Sequence, residues 1–193
     1  SNVSIDLKNI SSVGKKATNY ESSPKLELVS LFNFNLSLPL IKKMDNYTDF
    51  FTPKILFKIN PSDMKDSSSS NNRINVDNIF SEKRLGLSDT FETGRSLTVG
   101  IDYKKERNLD QYFEFKLAQS FRDKEENFIS NKTTLNKKNS NLFGAINSQL
   151  SDKVKLGYNF SIDKNYNTLE YNDFNASLSL NNIVTGFSFI EEN

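Results

Sequence analysis

The sequence predicts an all-β protein, an antiparallel meander of about nine long strands that forms a segment of a large transmembrane β-barrel. Three observations predict this class: apolar and polar residues alternate strictly, the strands are long, and their connections alternate between short and long. No stretch approaches the roughly 18 uncharged apolar residues that a membrane-spanning helix needs, which excludes a helical membrane protein. The mean hydropathy of −0.58 is compatible with a barrel, because half of each strand faces a polar interior.

Nine strands are predicted, at roughly 3–10, 25–41, 52–60, 94–107, 110–122, 140–150, 153–163, 168–181 and 183–191. In most of them one alternating set of residues is apolar: Phe32, Phe34, Leu36, Leu38 and Leu40; Leu97, Val99, Ile101 and Tyr103; Phe113, Phe115, Leu117 and Phe121; Val154, Leu156, Tyr158, Phe160 and Ile162; Phe174, Ala176, Leu178 and Leu180; Ile183, Phe187 and Phe189. Because successive side chains of a strand point to opposite faces, the other set forms a second, polar face. The polar residues expected to line the interior, or lumen, of the barrel are Asn33, Asn35, Ser37, Ser96, Thr98, Asp102, Glu114, Lys116, Asn159 and Ser161.

The connections between the predicted strands also indicate a membrane barrel. From the strand at 25–41 onwards they are medium (42–51), long (61–93), short (108–109), long (123–139), short (Ser151-Asp152), medium (164–167) and a single residue (Asn182). Outer-membrane barrels have tight periplasmic turns and long cell-surface loops, so 61–93 is predicted to be a long surface loop. Charged residues, among them Arg122 and Glu125, are expected to be solvated in the long links. The stretch 11–24 is expected to be weakly structured.

The composition excludes several classes of function. The chain has no Cys and no His, which removes thiol nucleophiles, imidazole bases and the usual zinc and iron ligands. No acid, base and nucleophile occur together in a catalytic pattern, so neither an enzyme nor a cofactor site is expected. The net charge of +1 offers no basis for binding nucleic acid.

Two small motifs have competing interpretations. Lys104, Lys105 and Arg107 could bind phosphate, but charges that extend from a strand end towards the membrane rim are the favoured interpretation. The residues from Asp163 to Asn167 resemble the start of a calcium-binding loop. They lack its glycine and its final glutamate, so a polar turn is expected.

The segment Ile79–Gly100 resembles the signature of the LPS-assembly protein LptD family. The matching residues are Phe80, Arg84, Gly86, Asp89, Glu92, Gly94 and Gly100. Leu38-Pro39-Leu40, Phe51-Thr52-Pro53-Lys54 with Pro61, and Ala118-Gln119-Ser120-Phe121 resemble further motifs of the family. Thr90 stands where the family has Arg, and Ala118 where it has Gly, so anchoring of the loop inside the barrel is an open question.

The resemblance covers roughly 25–190 and implies a function. It implies a barrel in the outer membrane of Gram-negative bacteria that assembles lipopolysaccharide into the outer leaflet, as part of cell envelope biogenesis. It also implies contact with membrane lipid, a plug lipoprotein of the LptE type and the periplasmic Lpt bridge. The periplasmic jelly-roll domain and the cysteine pairs of the family are missing, so residues 1–193 are expected to be a partial barrel domain.

Two other classes of protein share some of these features. Another outer-membrane barrel, a porin or small-solute receptor, would show the same strands and links without the motifs. A soluble β-sandwich adhesion module would also alternate apolar and polar residues, but its apolar faces would pack against each other in water.

Overall fold

The computed structural model describes residues 2–12, 25–87, 90–108, 111–180 and 183–193. Ten strands make up most of this: β1 (Asn2–Ser12), β2 (Lys25–Ser37), β3 (Leu40–Lys43), β4 (Thr48–Asn60), β5 (Gly94–Asn108), β6 (Gln111–Arg122), β7 (Leu142–Gln149), β8 (Val154–Ile162), β9 (Leu169–Leu180) and β10 (Ile183–Glu192). One short 3-10 helix, Asn131–Thr133, lies between β6 and β7. Within the described ranges, no helix has the length and apolar character required to cross a bilayer.

The strands form one antiparallel sheet in which each strand of the main path pairs with the next one along the chain. The path runs β1-β2-β4-β5-β6-β7-β8-β9-β10, and β3 pairs with β4 beside β2. In the described residues β1 and β10 are therefore the edges of an open meander. The predicted all-β meander is confirmed, and its openness fits a segment of a larger barrel.

The predicted strand 25–41 is interrupted, which corrects the strand count and two boundaries. Pairing between β2 and β4 ends at Ser37 with Lys54 and resumes three residues on, where Leu40 of β3 pairs with Phe51. The register is the same on both sides, so β3 continues β2 beyond the break at Pro39. Proline has no backbone N–H to donate to a ladder, which explains the interruption. The partner strand β4 accordingly begins at Thr48, four positions before the predicted 52.

The links alternate in length as predicted. The links 44–47 and 150–153 lie at one end of the sheet, which we call the short-link end, and each is shorter than the link that follows it at the other end, 61–93 and 163–168. The long link 123–141 also lies at that other end. The turns predicted at 108–109 and Asn182 fall wholly or partly outside the described residues, as does most of the stretch 11–24. In the turn between β8 and β9, the Asp163 carboxylate accepts hydrogen bonds from the backbone N–H groups of Asn165, Asn167 and Thr168.

Cross-strand register gives the sheet two faces of different chemistry, because directly paired residues of an antiparallel sheet point the same way. One row across β4 to β10 consists of Phe51, Tyr103, Phe115, Ile146, Tyr158, Phe174 and Phe189. We call the side that carries this row the apolar face. The neighbouring row, on the opposite side, includes Asp102, Lys116, Asn159 and Asp173, and we call that side the polar face.

The core of the molecule lies on the polar face. The links 61–93 and 123–141, which we call the cover, fold back over it and pack together, with Ser67 bridged to Ile129. Apolar residues of the cover meet Ala118, Phe143 and Ala145 of the sheet; those from the cover are Met64, Ile74, Val76, Ile79, Leu85, Ile129 and Leu135. Beneath the cover, therefore, the polar face carries the apolar side chains of Ala118, Phe143 and Ala145.

The apolar face has no second sheet against it in the described part of the chain. A β-sandwich requires two packed sheets, whereas the described strands form a single one. Large side chains on this face remain exposed, including Leu97, Phe113 and Phe187. The structure therefore disfavours the sandwich alternative.

Candidate functional site

All the residues predicted to line the lumen share the polar face. The pairing of the strands shows this, because paired residues point to the same side. Asn33 lies in one row with Lys58 and Ser96, Asn35 lies in a row with Thr98, and Ser37 lies in a row with Ser161. Asp102 shares a row with Lys116 and Asn159, and Glu114 pairs with Lys104. The cover buries the ones nearest the long links, namely Asn33, Ser96, Thr98 and Ser161. Ser37, which pairs with Lys54 in the middle of β4, stays exposed.

A buried ion pair attaches the cover to the sheet. Arg84 and Glu92, both from the cover, face each other in a two-pronged contact: Arg84 Nε donates to Glu92 Oε1 at 2.5 Å, and Arg84 Nη2 donates to Oε2 at 2.7 Å. The same guanidinium donates to Thr98 Oγ1 at 2.7 Å and to Ser96 Oγ at 3.1 Å on β5. Arg84 is 1% exposed, so its donors are satisfied by protein groups alone, as a buried charge requires.

Two further cations converge on the same carboxylate. Lys58 Nζ on β4 donates to Glu92 Oε1 at 3.4 Å, and Arg122 Nη1 on β6 donates to Oε2 at 3.1 Å. Lys58 and Arg122 both flank Ser96 in the sheet, which places them level with the ion pair. Arg122 is the last residue of β6, as the predicted strand 110–122 implies, but at 7% exposed it is not one of the solvated charges of the long link.

The charges around Glu92 decide its ionisation. Burial by itself would raise the pKa of this carboxyl, but Arg84, Lys58 and Arg122 outweigh that effect and hold the pKa well below its ordinary range. The carboxylate is thus ionised at neutral pH. One anion holds together residues from the cover, β4 and β6, and this cluster anchors the cover without an arginine at position 90, where Thr90 is buried.

The glycines of the motif have conformational roles. Gly86 (φ +77°) and Gly94 (φ +83°) lie in the left-handed region, where a side chain is strained. Gly94 starts β5 directly after the charge cluster.

Phe80 and Gly100 fit each other across the polar face. A Cβ on Gly100 would lie 2.8 Å from the Phe80 ring and 2.6 Å from the carbonyl oxygen of Leu117, so only glycine admits the ring here. Asp89, the remaining motif residue, lies outside the described residues. The structure thus brings together Phe80, Arg84 and Glu92 on the sheet.

Sequence reasoning missed Lys58 and Arg122 as members of this cluster. The alternation of apolar and polar residues puts Lys58 on a polar face of its strand. Only the pairing of β4, β5 and β6 shows that Lys58 and Arg122 lie on either side of Ser96. Gln119, of the Ala118–Phe121 motif, lies on the apolar face. There its Nε2 donates to the carbonyl of Ser140, and its Oε1 accepts from the Tyr166 hydroxyl.

The far side of the cover is held more loosely. Arg73 lies over the Tyr171 ring on β9, 4.1 Å from its centroid, and pairs with Glu192 on β10 at 2.7 Å. Asp77 pairs with Lys116 on β6 at 3.2 Å. A cavity of about 400 Å³ remains here between the cover and strands β7 to β9, lined mainly by polar side chains such as Asn159, Glu170 and Asp173. Within the described ranges no group of three or more acidic residues is placed to hold a metal ion.

Comparison with known proteins supplies a family. No curated protein matches the chain. The family profile of LptD, described as LPS transport system D, matches residues 6–188, which is nearly the whole length and includes every strand except the ends of β1 and β10. The match agrees with the resemblance carried by the Phe80–Gly94 motif, so the chain belongs to the LptD family and has a role in lipopolysaccharide transport.

Proposed function

We propose that this chain forms part of the barrel wall of the outer-membrane translocon that assembles lipopolysaccharide into the outer leaflet. The apolar face meets the hydrocarbon of the membrane, and the polar face lines the lumen. The work is transport without covalent chemistry: the wall supplies a hydrated path for the sugar headgroup, and the lipid tails leave through a seam to the bilayer.

The observation that carries this proposal is the contrast between the two faces of one sheet. A row of aromatic and aliphatic side chains runs across β4 to β10 with nothing packed on it in the described part of the chain. The opposite face holds paired charges, amides and hydroxyls under a cover made by the chain itself. Strands of this length match the roughly 9–11 residues that cross a bilayer at a tilt, so the exposed apolar row lies where lipid would be.

Membership of the LptD family supports lipopolysaccharide as the substrate and Lpt proteins as partners. We infer that a plug lipoprotein of the LptE type contacts the polar face inside the closed barrel. The periplasmic Lpt bridge would deliver substrate at the short-link end, since tight turns face the periplasm in such barrels.

A pair of neighbouring lysine substitutions tests the assignment of faces. Phe160→Lys puts a charge on the apolar face of β8, and Asn159→Lys puts the same charge one residue away on the polar face. A lysine facing lipid near the bilayer midplane costs about 2–4 kcal/mol, whereas a lysine facing water costs little. In the full-length protein we expect Phe160→Lys to impair membrane assembly, measured by heat-modifiable gel migration and detergent extraction, and Asn159→Lys to assemble normally.

Normal assembly of the Phe160→Lys protein would contradict the proposed orientation. Failure of Asn159→Lys alone would reverse the two faces. The role in lipopolysaccharide transport is tested separately, by the amount of lipopolysaccharide that reaches the cell surface when each variant replaces the parent protein.

A further inference from the structure

Two cations at the short-link end of the apolar face, Lys105 and Arg107, form no ion pair with the described residues. Asp49 lies opposite Lys105 in the sheet, but its carboxylate accepts a hydrogen bond from the Tyr103 hydroxyl. Lys104 pairs with Glu106 at 2.5 Å, but neither Lys105 nor Arg107 has an ion pair with any described residue. Lys105 instead lies over the Tyr47 ring, 3.9 Å from its centroid. Arg107 lies between Glu106 and Asn108, where the pairing of β5 with β6 shifts by one residue. Such a bulge changes the direction in which a side chain points.

These cations border a cavity of about 280 Å³ that we call the rim pocket, lined by Lys105, Arg107, Tyr112, Phe113, Ser148 and Leu150. Lys105, Phe113 and Ser148 form one cross-strand row on β5, β6 and β7. Phe113 is 42% exposed and Leu150 is 56% exposed, so large apolar groups stand open beside the unpaired charges.

This combination selects an amphiphilic anion. Two adjacent cations that form no ion pair with a described carboxylate attract a phosphate, and the guanidinium of Arg107 offers paired donors to its oxygens. A soluble phosphate gains nothing from Phe113 and Leu150, whereas a lipid places its phosphate between the cations and its acyl chains along the apolar side chains. Phe113 continues along β6 into Phe115 and Leu117 on the same face, which gives those chains a continuous apolar surface.

We propose that the rim pocket binds the phosphate of an anionic phospholipid in the membrane leaflet at the short-link end. Lys105 and Arg107 hold the headgroup, and Phe113 and Leu150 contact the start of its acyl chains. The site rests on the proposed function only in that the apolar face must lie in lipid.

Tryptophan quenching by brominated lipids measures the site directly, because the chain contains no Trp of its own. Leu150→Trp introduces a reporter beside the rim pocket in the full-length protein, reconstituted in bilayers of phosphatidylcholine and phosphatidylglycerol. The fluorescence of the reporter is the difference between the Leu150→Trp protein and the parent protein. Brominated phosphatidylglycerol should quench this reporter more strongly than brominated phosphatidylcholine, and each cation removed should weaken that preference about fivefold.

Substitutions that each remove one positive charge show which residues cause the preference for the anionic lipid. Lys105→Gln and Arg107→Gln are expected to reduce it, whereas Lys155→Gln, which removes one charge at the same end of the sheet but on the polar face, should leave it unchanged. The proposal is overturned if the parent reporter shows no preference for the anionic lipid, or if the preference survives removal of both cations. It is also overturned if excess inorganic phosphate abolishes the preference, since the pocket would then take a soluble anion.

A second reporter separates this inference from the proposed function. Phe160→Trp lies in the middle of the apolar face, away from the rim pocket. Strong quenching at Phe160→Trp by brominated phosphatidylcholine, without an anionic preference at Leu150→Trp, would reject the rim pocket alone. Absence of quenching at Phe160→Trp would reject the placement of the apolar face in lipid.

Discussion

At the scale of single residues, Glu92 joins the cover to two strands of the sheet through its ion pairs with Lys58 and Arg122. It neutralises one of three cations that surround it, so the cluster as a whole retains positive charge away from water. Such a cluster contributes little net stability when complete, but removing Glu92, the one anion that the described residues place in ion pairs with these cations, leaves them without an ion-pair partner there.

Glu92→Gln is therefore expected to lower the free energy of unfolding by about 3 kcal/mol, because neutral Gln cannot compensate the buried cations. Urea denaturation of the detergent-solubilised protein measures the change. Glu125→Gln serves as the control, since Glu125 is exposed in the cover and should alter stability by no more than about 0.5 kcal/mol. Equal effects of the two substitutions would show that the cluster does not anchor the cover.

The stability of the protein should also depend on pH through the same carboxyl. Its folded pKa lies below the ordinary value of 4.5, so the folded state favours the ionised form. Stability from Glu92 is thus fully present above pH 4.5 and is lost as the pH falls from there towards the folded pKa. Unfolding midpoints measured down to acidic pH should fall more steeply in the parent than in Glu92→Gln.

The carboxyl of Asp163 also makes the stability of the protein fall at acidic pH. Backbone N–H groups, that of Thr168 first, hold the pKa of its carboxyl below the usual range. The Asp163→Asn variant should retain most of the acid sensitivity if Glu92 is the main source, because the Asp163 turn is exposed to solvent. Loss of the acid sensitivity in Asp163→Asn would assign it to the turn.

At the scale of elements, the close approach of Phe80 to β5 fixes how the cover sits on the sheet. Gly100→Val should displace the Phe80 ring and strain the pairing of β5 with β6, since its Cβ meets both ring and backbone. We expect a loss of about 1–3 kcal/mol, measured by urea denaturation. Gly157→Val, on the polar face of β8, meets the Asn147 side chain at 3.3 Å and the Asn175 Cβ at 4.0 Å but no backbone atom, and should cost less.

The strands themselves follow from local sequence, and the cover does not. Alternation such as that from Val154 to Ile162 specifies a strand and its two faces without further information. Lys58, Ser96 and Arg122 meet only because three strands pair in one register, which depends on the whole sheet. The cover's apolar residues, such as Ile74 and Ile79, follow no regular period, so nothing local predicts that they pack on the polar face. The break at Pro39 could have been anticipated from the missing N–H, but alternation continues through it.

At the scale of the whole molecule, the polar residues that lie outside the cover, towards the short-link end of the polar face, should control permeation while contributing little to folding. Glu114 lies on this face towards the short-link end and is half-buried, with Asn147 donating to it at 3.1 Å. Glu114→Lys should shift the ion selectivity of the reconstituted full-length protein towards anions, measured by conductance in planar bilayers, because lumen substitutions tune selectivity. Gln at the same position should give an intermediate selectivity. A large loss of folding yield with unchanged selectivity would contradict the lumen assignment.

The contact of Arg73 with Tyr171 and Glu192 also has a consequence for the order of folding. Arg73 precedes Glu192 by more than half the chain, and the surfaces that receive it belong to β9 and β10, which follow the cover in the sequence. Closing such a long loop costs conformational entropy before the contact returns any stability. The far side of the cover can therefore take its final position only after the hairpin of β9 and β10 has joined the sheet. Until that hairpin is in place, this side of the cover stays open to solvent, and that interval is when a chaperone would have most to bind.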